Sequence, residues 1–284
     1  MTTIDRLLSF IEEDAPFGDI TSEPLIPPER ECNARILTRQ PCTVAGGEEA
    51  SLLFTHFGCT VRQTVRDGER AGAGATIIEI AGKTTTILLL ERTVLNLMGR
   101  MSGIATATVR AAKIAALANP RVRVAATRKT APGLRTFDKK AVQLGGGEPH
   151  RFCLSDQVLI KDNHLQIVPV EQAVARARAA TLYKKIEVEA ETPGDALRAA
   201  KAGADIILLD NMKPIDVQKT LDLLEREGMR KGVVIEVSGT ITEETLEGYA
   251  VLDIDVISMG SLTHTVTSTD ISLEILPGMQ TIRL

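Results

Sequence analysis

The stretch from Lys185 to Asn211 reads KIEVEAETPGDALRAAKAGADIILLDN, and it contains one complete structural repeat. A β-rich apolar run at 185–188 gives way to a helix-like stretch from Pro193 to Ala202, then to a second apolar run at 205–209. Strand, helix, strand in that order makes parallel strands joined by a right-handed crossover. The rhythm extends in both directions. Further β-rich runs lie at Val122–Thr127, Gln157–Ile160, Val233–Val237 and Val256–Met259, and helix-like stretches at Val170–Ala179, Ile215–Arg226 and Glu243–Tyr249. Six such strands in series form an open sheet or an incomplete barrel. No G-x-G-x-x-G follows the first strand, so a Rossmann dinucleotide site has no support.

Each strand ends in polar residues. Arg128 and Lys129 follow the first, Lys161-Asp162-Asn163-His164 the second, and Glu187 and Glu189 close the third. Asp210 and Asn211 follow the fourth, Glu236, Ser238 and Gly239 end the fifth, and Gly260 and Ser261 the sixth. In a β/α barrel these ends converge on one mouth, where active sites lie. Period 2 puts Glu187 and Glu189 on the same face, pointing into the barrel if Ile186 and Val188 pack under the helices. Such carboxylates suit Mg²⁺ or ribose hydroxyls; a buried ion pair with Lys129 or Lys161 is the alternative. Ser238-Gly239-Thr240 and Gly260-Ser261 occupy the loops that commonly hold a phosphate in barrels, where glycine lets the backbone N–H groups approach an anion. Arg92, Arg128, Lys129, His150, Arg151 and Lys161 form a basic set suited to a polyanion, the arginine forks matching carboxylates.

The first third reads differently. Ile4, Leu7, Leu8 and Ile11 mark an amphipathic helix over 4–13. Short strands at Ala34–Thr38, Cys59–Val65 and Thr76–Ile80 follow. From Thr84 to Met101 apolar residues recur at helical spacing, Ser102-Gly103 reads as an interruption, and a second helix runs to about Ala118 before Asn119-Pro120. The domain boundary is placed within this helical pair.

Composition narrows the function classes. With 44% hydrophobic residues, 3% aromatics and no Trp, the core is aliphatic and aromatic platforms for nucleobases are not expected. A net charge of −4 argues against a general nucleic-acid surface. The four cysteines, Cys32, Cys42, Cys59 and Cys153, contain no C-x-x-C pair and read as reduced thiols. With no signal-like N-terminus and no apolar stretch long enough to span a bilayer, a cytoplasmic protein is expected. Gly145-Gly146-Gly147 reads as a turn, not a P-loop, and His264 is ambiguous.

In its ordered blocks the chain resembles the quinolinate phosphoribosyltransferases. Those blocks are Glu13 to Thr21, Glu91-Arg92-Thr93, Ser102 to Thr106, Thr127-Arg128-Lys129-Thr130, Pro132 to Arg135, Gly145 to Gly147 with His150-Arg151, Lys161 to His164, Ile186 to Glu189, Leu209-Asp210-Asn211 and Ser258 to His264. The resemblance implies an N-terminal α/β sandwich-like domain over 1–106, an incomplete TIM-like α/β barrel of about six strands over 107–266, and a tail over 267–284 that packs back on the first domain. It implies transfer of phosphoribosyl from phosphoribosyl pyrophosphate to quinolinate, with decarboxylation. It also implies a homodimer or hexamer in which Arg92 completes the neighbour's site. By resemblance, Arg128, His150, Arg151 and Lys161 bind quinolinate, while Lys129 and Lys161 face the pyrophosphate. Glu189 and Asp210 hold the ribose and Mg²⁺, and Ser238, Gly239, Gly260 and Ser261 hold the 5′-phosphate. Glu148-Pro149 before His150, Cys153, and Thr240 after Gly239 depart from the family pattern. A molybdenum-transport accessory relative, a nicotinate phosphoribosyltransferase and a non-catalytic phosphosugar-binding module are the rival readings.

Overall fold

The strands of the second half find their partners in the order that a barrel with one open seam requires. The structure, a computed structural model, describes residues 2–277; residues 278–284 of the tail lie outside the described residues. Among the described residues, 2–107 together with 266–277 form one compact unit, and Thr108–Thr265 form the other.

In the first unit, α1 (Thr3–Asp14) opens with a capping box between Thr2 and Asp5 and buries Leu7 and Ile11. A single turn, α2 (Ser22–Leu25), leads into β1 (Glu31–Thr38); β2 (Cys42–Thr43), α3 (Gly47–His56), β3 (Thr60–Gln63), β4 (Arg70–Ala71) and β5 (Thr76–Lys83) follow. β1 is central to an antiparallel sheet, paired with β5 on one side and with the returning β12 (Ile271–Ile275) on the other. Ile36, Ile78 and Ile80 lie fully buried on it.

α4 runs without a break over Thr84–Ala118, 35 residues. The expected interruption at Ser102-Gly103 is absent, and packing explains both small residues. Ser102 is wholly buried; its hydroxyl donates to the Ala45 carbonyl and accepts the Ala45 N–H. A Cβ on Gly103 would overlap the Thr267 carbonyl oxygen. Nearby, the Thr269 N–H donates to the Gly99 carbonyl. The glycines thus mark where the returning chain crosses the helix closely, not where the helix ends.

The second unit holds β6 (Arg123–Ala125), α5 (Arg135–Leu144), β7 (Val158–Ile160), α6 (Asp162–Leu165), α7 (Val170–Ala180), β8 (Ile186–Ala190), α8 (Pro193–Lys201), β9 (Ile206–Asp210), α9 (Pro214–Arg226), β10 (Val234–Ser238), α10 (Glu243–Ala250), β11 (Val256–Ser258) and α11 (Ser261–His264). Its six strands are all parallel, in the order β6-β11-β10-β9-β8-β7. Every pairing of a closed ring is present except β6 with β7, so the sheet is a six-stranded, incomplete barrel. In the seam only an isolated bridge joins Ala125 to Glu148. Strand residues alternate as the period-2 reading requires. Ile186 and Val188 are buried against the outer helices, and Glu187 and Glu189 are buried on the opposite face. α5 has no counterpart in the helix-like stretches read from sequence; its charged run (RTFDKKAVQL) buries Asp138 and Lys139 along with Phe137, Ala141 and Val142.

Candidate active site

The C-terminal strand ends open into one cavity of about 680 Å³. Among the described residues, its walls carry Arg128, Lys129, His150, Arg151, Lys161, Glu189, Asp210, Ser238 and Gly239. The candidates from five different strand ends are therefore brought together, as the convergence argument expects.

The cations differ in how they are held. Arg151 is buried, and its guanidinium donates to the Gln157 carbonyl at 3.3 Å. Burial and then the nearby Arg128 charge push its pKa down. Arg128 has a buried Nε without a hydrogen-bond partner. A buried guanidinium nitrogen left unpaired at a cavity wall is costly until an anion arrives. Lys161 ends β7 and its ammonium lies 2.9 Å from Glu189 Oε2, with the lysine side chain 47% exposed and the glutamate 7%. The ion-pair alternative for the inward carboxylates thus applies to Glu189 with Lys161. Glu187 has other partners: the Gln157 amide donates to it at 2.6 Å, and His150 Nε2 lies 3.4 Å away.

Backbone geometry fixes the remaining side chains. The Lys161 N–H donates to His164 Nδ1, which closes the turn of α6 and links the first and last residues of the Lys-Asp-Asn-His block. Asn211, at φ 53°, donates its N–H to the Ser238 carbonyl and its side-chain amide to Asp210 Oδ2 at 2.7 Å. Gly239, at φ 131°, lies against the Asn211 backbone. Beneath the His150 loop, the buried Lys139 ammonium donates to the Pro149 carbonyl. Burial, and then the charges of Arg135 and Arg128, bring Lys139 down to about 8.

Other candidates stand apart from this cavity. Gly260 and Ser261 do not line it; the Ser261 hydroxyl donates to the Ile241 carbonyl at 3.4 Å, and Gly260 lies against the Lys129 side chain and the His264 ring. Arg92 belongs to the first unit, exposed on α4. Glu236, Asn211, Thr240, Ser258 and His264 line the cavity without having been assigned a role from sequence. The alternation that selected Glu187 and Glu189 also selects Glu236, since it sits between Ile235 and Val237 on β10.

This chemistry coincides with a family match over nearly the whole chain. Residues 19–102 match the quinolinate phosphoribosyl transferase N-terminal domain, and residues 104–274 the C-terminal domain. The chain belongs to the quinolinate phosphoribosyltransferase family. A family member from Methanothermobacter thermautotrophicus, named probable nicotinate-nucleotide pyrophosphorylase (carboxylating), is 45% identical over 274 residues, covering 96% of this chain and 98% of that one. One from Methanocaldococcus jannaschii with the same name is 44% identical, covering 93% and 94%. Among crystal structures, that of NadC from Streptococcus pyogenes superposes with a TM-score of 0.88 at 35% identity, over 97% of this chain and 99% of that one.

The quinolinate phosphoribosyltransferase site also contains a cluster that sequence reasoning did not anticipate. Among the described residues, the group of three close enough to share a cation is His150, Glu187 and Glu236, whereas Glu189 and Asp210 belong to no such group. His150 Nε2 lies 3.4 Å from a carboxylate oxygen of each glutamate. Burial alone pulls an imidazole toward its neutral form, but here the attraction of Glu187 and Glu236 outweighs it and raises His150 to about 9. The ring is a cation at neutral pH. Burial in turn pushes the Glu187 carboxyl up.

Proposed function

We propose that this chain transfers the phosphoribosyl group of phosphoribosyl pyrophosphate to quinolinate and decarboxylates it. The products are nicotinate mononucleotide, pyrophosphate and CO₂, a step of de novo NAD biosynthesis. The observation that carries the reading is the convergence on one cavity of Arg128, His150, Arg151 and Lys161 with Glu189, Asp210 and the Ser238-Gly239 loop. The first group suits an aromatic dicarboxylate, the second a phosphosugar. The carboxylating activity in the relatives' names supports the same pair of substrates.

Arg128 and Arg151 meet the two quinolinate carboxylates, with His150 and Lys161 as further donors. Lys129, on the loop after β6, faces the pyrophosphate. Ser238 and Gly239 receive the 5′-phosphate, and Gly260 and Ser261 support that loop from β11. Glu189 and Asp210 accept the ribose hydroxyls. The two also fit a Mg²⁺ ion, which binds proteins through one or two carboxylates and completes its shell with substrate phosphates and water. When bound, that ion neutralises the departing pyrophosphate.

The ring nitrogen bonds to ribose C1 as the C1–O bond to pyrophosphate breaks, and its electron pair leaves with the pyrophosphate. Glu189 and Asp210 stabilise positive charge on the ribose. The ring nitrogen is then cationic, so the bond from ring C2 to its carboxylate breaks with the electron pair remaining at C2. CO₂ leaves and a proton is delivered to C2. Lys161 is the candidate donor, and its ammonium is held 2.9 Å from Glu189 in the same cavity.

The protein acts in the cytoplasm as a homodimer or hexamer, and the exposed Arg92 reaches the neighbouring subunit's cavity. Among the described residues no helix is long and apolar enough to cross a membrane. The test is a turnover assay with Mg²⁺, phosphoribosyl pyrophosphate and quinolinate, with nicotinate in parallel. Nicotinate mononucleotide formed from quinolinate and abolished in Arg128→Ala and Lys161→Ala supports the reading. Product from nicotinate alone moves the chain to the salvage reaction. A folded protein that binds phosphoribosyl pyrophosphate and turns over neither acid is a binding module.

A further inference from the structure

We propose that Glu236 is a positioning residue for the pyridine dicarboxylate: anchored by Ser258, it holds the His150 ring in the cavity wall, with Glu187 as the second support. The inference rests on the cavity being the dicarboxylate site and concerns a residue to which that reading gives no role.

Glu236 lies mid-strand on β10, between β9 and β11, so its backbone is fixed on both sides. Its side chain is 4% exposed. The Ser258 hydroxyl from β11, itself buried, donates to Oε1. That leaves Oε2, which lies 3.4 Å from His150 Nε2. Glu187 repeats the arrangement from β8. Its Oε2 accepts from Gln157 and lies 3.4 Å from the same ring nitrogen. Burial of a carboxylate is offset by a cation beside it, and the His150 ring nitrogen lies 3.4 Å from a carboxylate oxygen of each glutamate, one reaching it from β8 and the other from β10.

The loop carrying the ring is held against its own preference. His150 has φ 53°, a left-handed conformation that only a few per cent of non-glycine residues adopt. From α5 the Lys139 ammonium ties down the Pro149 carbonyl one residue earlier. The other charged groups at this wall are Arg151, next in the chain, and Arg128 beside it. A conformation fixed from three directions at a cavity wall is a preorganised one.

The consequence for binding follows from imidazole chemistry. A neutral ring has one N–H and an imidazolium has two. With Nε2 turned to the glutamates, only the charged ring retains an N–H at Nδ1 for a substrate carboxylate. Without Glu236 the ring loses its proton at a lower pH, and that donor with it.

The test uses full-length Glu236→Gln, Ser258→Ala and Glu187→Gln with wild type, reading KM for each substrate and the His150 imidazole titration by NMR, assigned with His150→Gln. In Glu236→Gln at pH 8 the KM for quinolinate rises about tenfold, the KM for phosphoribosyl pyrophosphate stays within twofold, and the His150 titration moves down by about two units or more. Ser258→Ala, which keeps the charge but frees the carboxylate, gives a smaller shift of the same sign. Equal rises in both KM values, or an unmoved His150 titration, overturn the proposal and leave Glu236 a structural residue. If wild type does not turn over quinolinate, the functional reading fails by itself. The NMR titration still decides whether Glu236 holds the ring.

Discussion

Gly239→Ala perturbs the site at a point where geometry fixes the outcome. A Cβ there would sit 2.6 Å from Asn211 Oδ1 and 3.0 Å from both the Asn211 nitrogen and Cα. The residue also holds φ 131°, outside the regions open to alanine. The backbone strain costs about 1–3 kcal/mol, and forcing a methyl against a fixed backbone about 1–3 kcal/mol more. Together these remove roughly 2–6 kcal/mol from a stability of about 5–15 kcal/mol, so the melting temperature falls by roughly 4–24 °C. The functional effect travels through Asn211, whose amide holds Asp210 Oδ2 and whose N–H holds the Ser238 carbonyl. Displacing it turns Asp210 away from the ribose, and a shift of about 1 Å is enough to cost roughly 100-fold in turnover. Calorimetry and steady-state kinetics with each substrate varied in turn check this. The KM for phosphoribosyl pyrophosphate rises sharply, while quinolinate affinity, governed by β6, β7 and the His150 loop, changes little. A variant that melts within 1–2 °C of wild type and binds phosphoribosyl pyrophosphate normally refutes the reasoning.

Gly103→Ala sets helix propensity against packing. Alanine gains up to about 1 kcal/mol in a helix interior, but overlap with the Thr267 carbonyl costs more, so denaturant unfolding shows a net loss of about 1–2 kcal/mol; a stabilised variant contradicts the crossing seen in the first unit. His150 adds a pH term of known sign. Its pKa is raised from 6.5 to about 9 on folding, so its stabilisation, on the order of 3 kcal/mol, is complete below about pH 6.5 and is lost as pH rises through about 9. His150→Gln therefore flattens the decline in melting temperature between pH 6.5 and 9, and an unchanged decline counts against the imidazolium. If Arg92 completes the neighbour's site, mixing inactive Arg92→Ala and Lys161→Ala proteins after subunit exchange restores activity at about a quarter of the sites in a dimer. Mixtures as inactive as their components place Arg92 elsewhere.

Much of the barrel was legible because a parallel strand buried on both faces leaves a dense apolar run, and each crossover helix a polar stripe. The carboxylates of β8 were legible because period 2 leaves no other face for them. α4 was misread at Ser102-Gly103, since a local sequence cannot distinguish a glycine that breaks a helix from one that admits a crossing chain 164 residues later. α5 was missed because most of its residues are charged or polar; its helical stripe is Phe137, Ala141 and Val142. The role of Glu236 depends on Ser258 and His150, which come from two other elements, and only the folded barrel puts them within reach. Ser261 shows the converse: it follows β11, as the strand rhythm reads, but its hydroxyl turns to the Ile241 carbonyl.

The central claim is that one cavity alkylates the ring nitrogen of quinolinate and then removes the adjacent carboxylate. Quinolinate isotopically labelled at the 2-carboxyl, and separately at the 3-carboxyl, tests it with Mg²⁺ and phosphoribosyl pyrophosphate. The account predicts labelled CO₂ from the 2-carboxyl in one-to-one ratio with nicotinate mononucleotide and pyrophosphate, and full retention of label at the 3-carboxyl. Label retained at both positions, or nicotinate mononucleotide made only from added nicotinate, contradicts it.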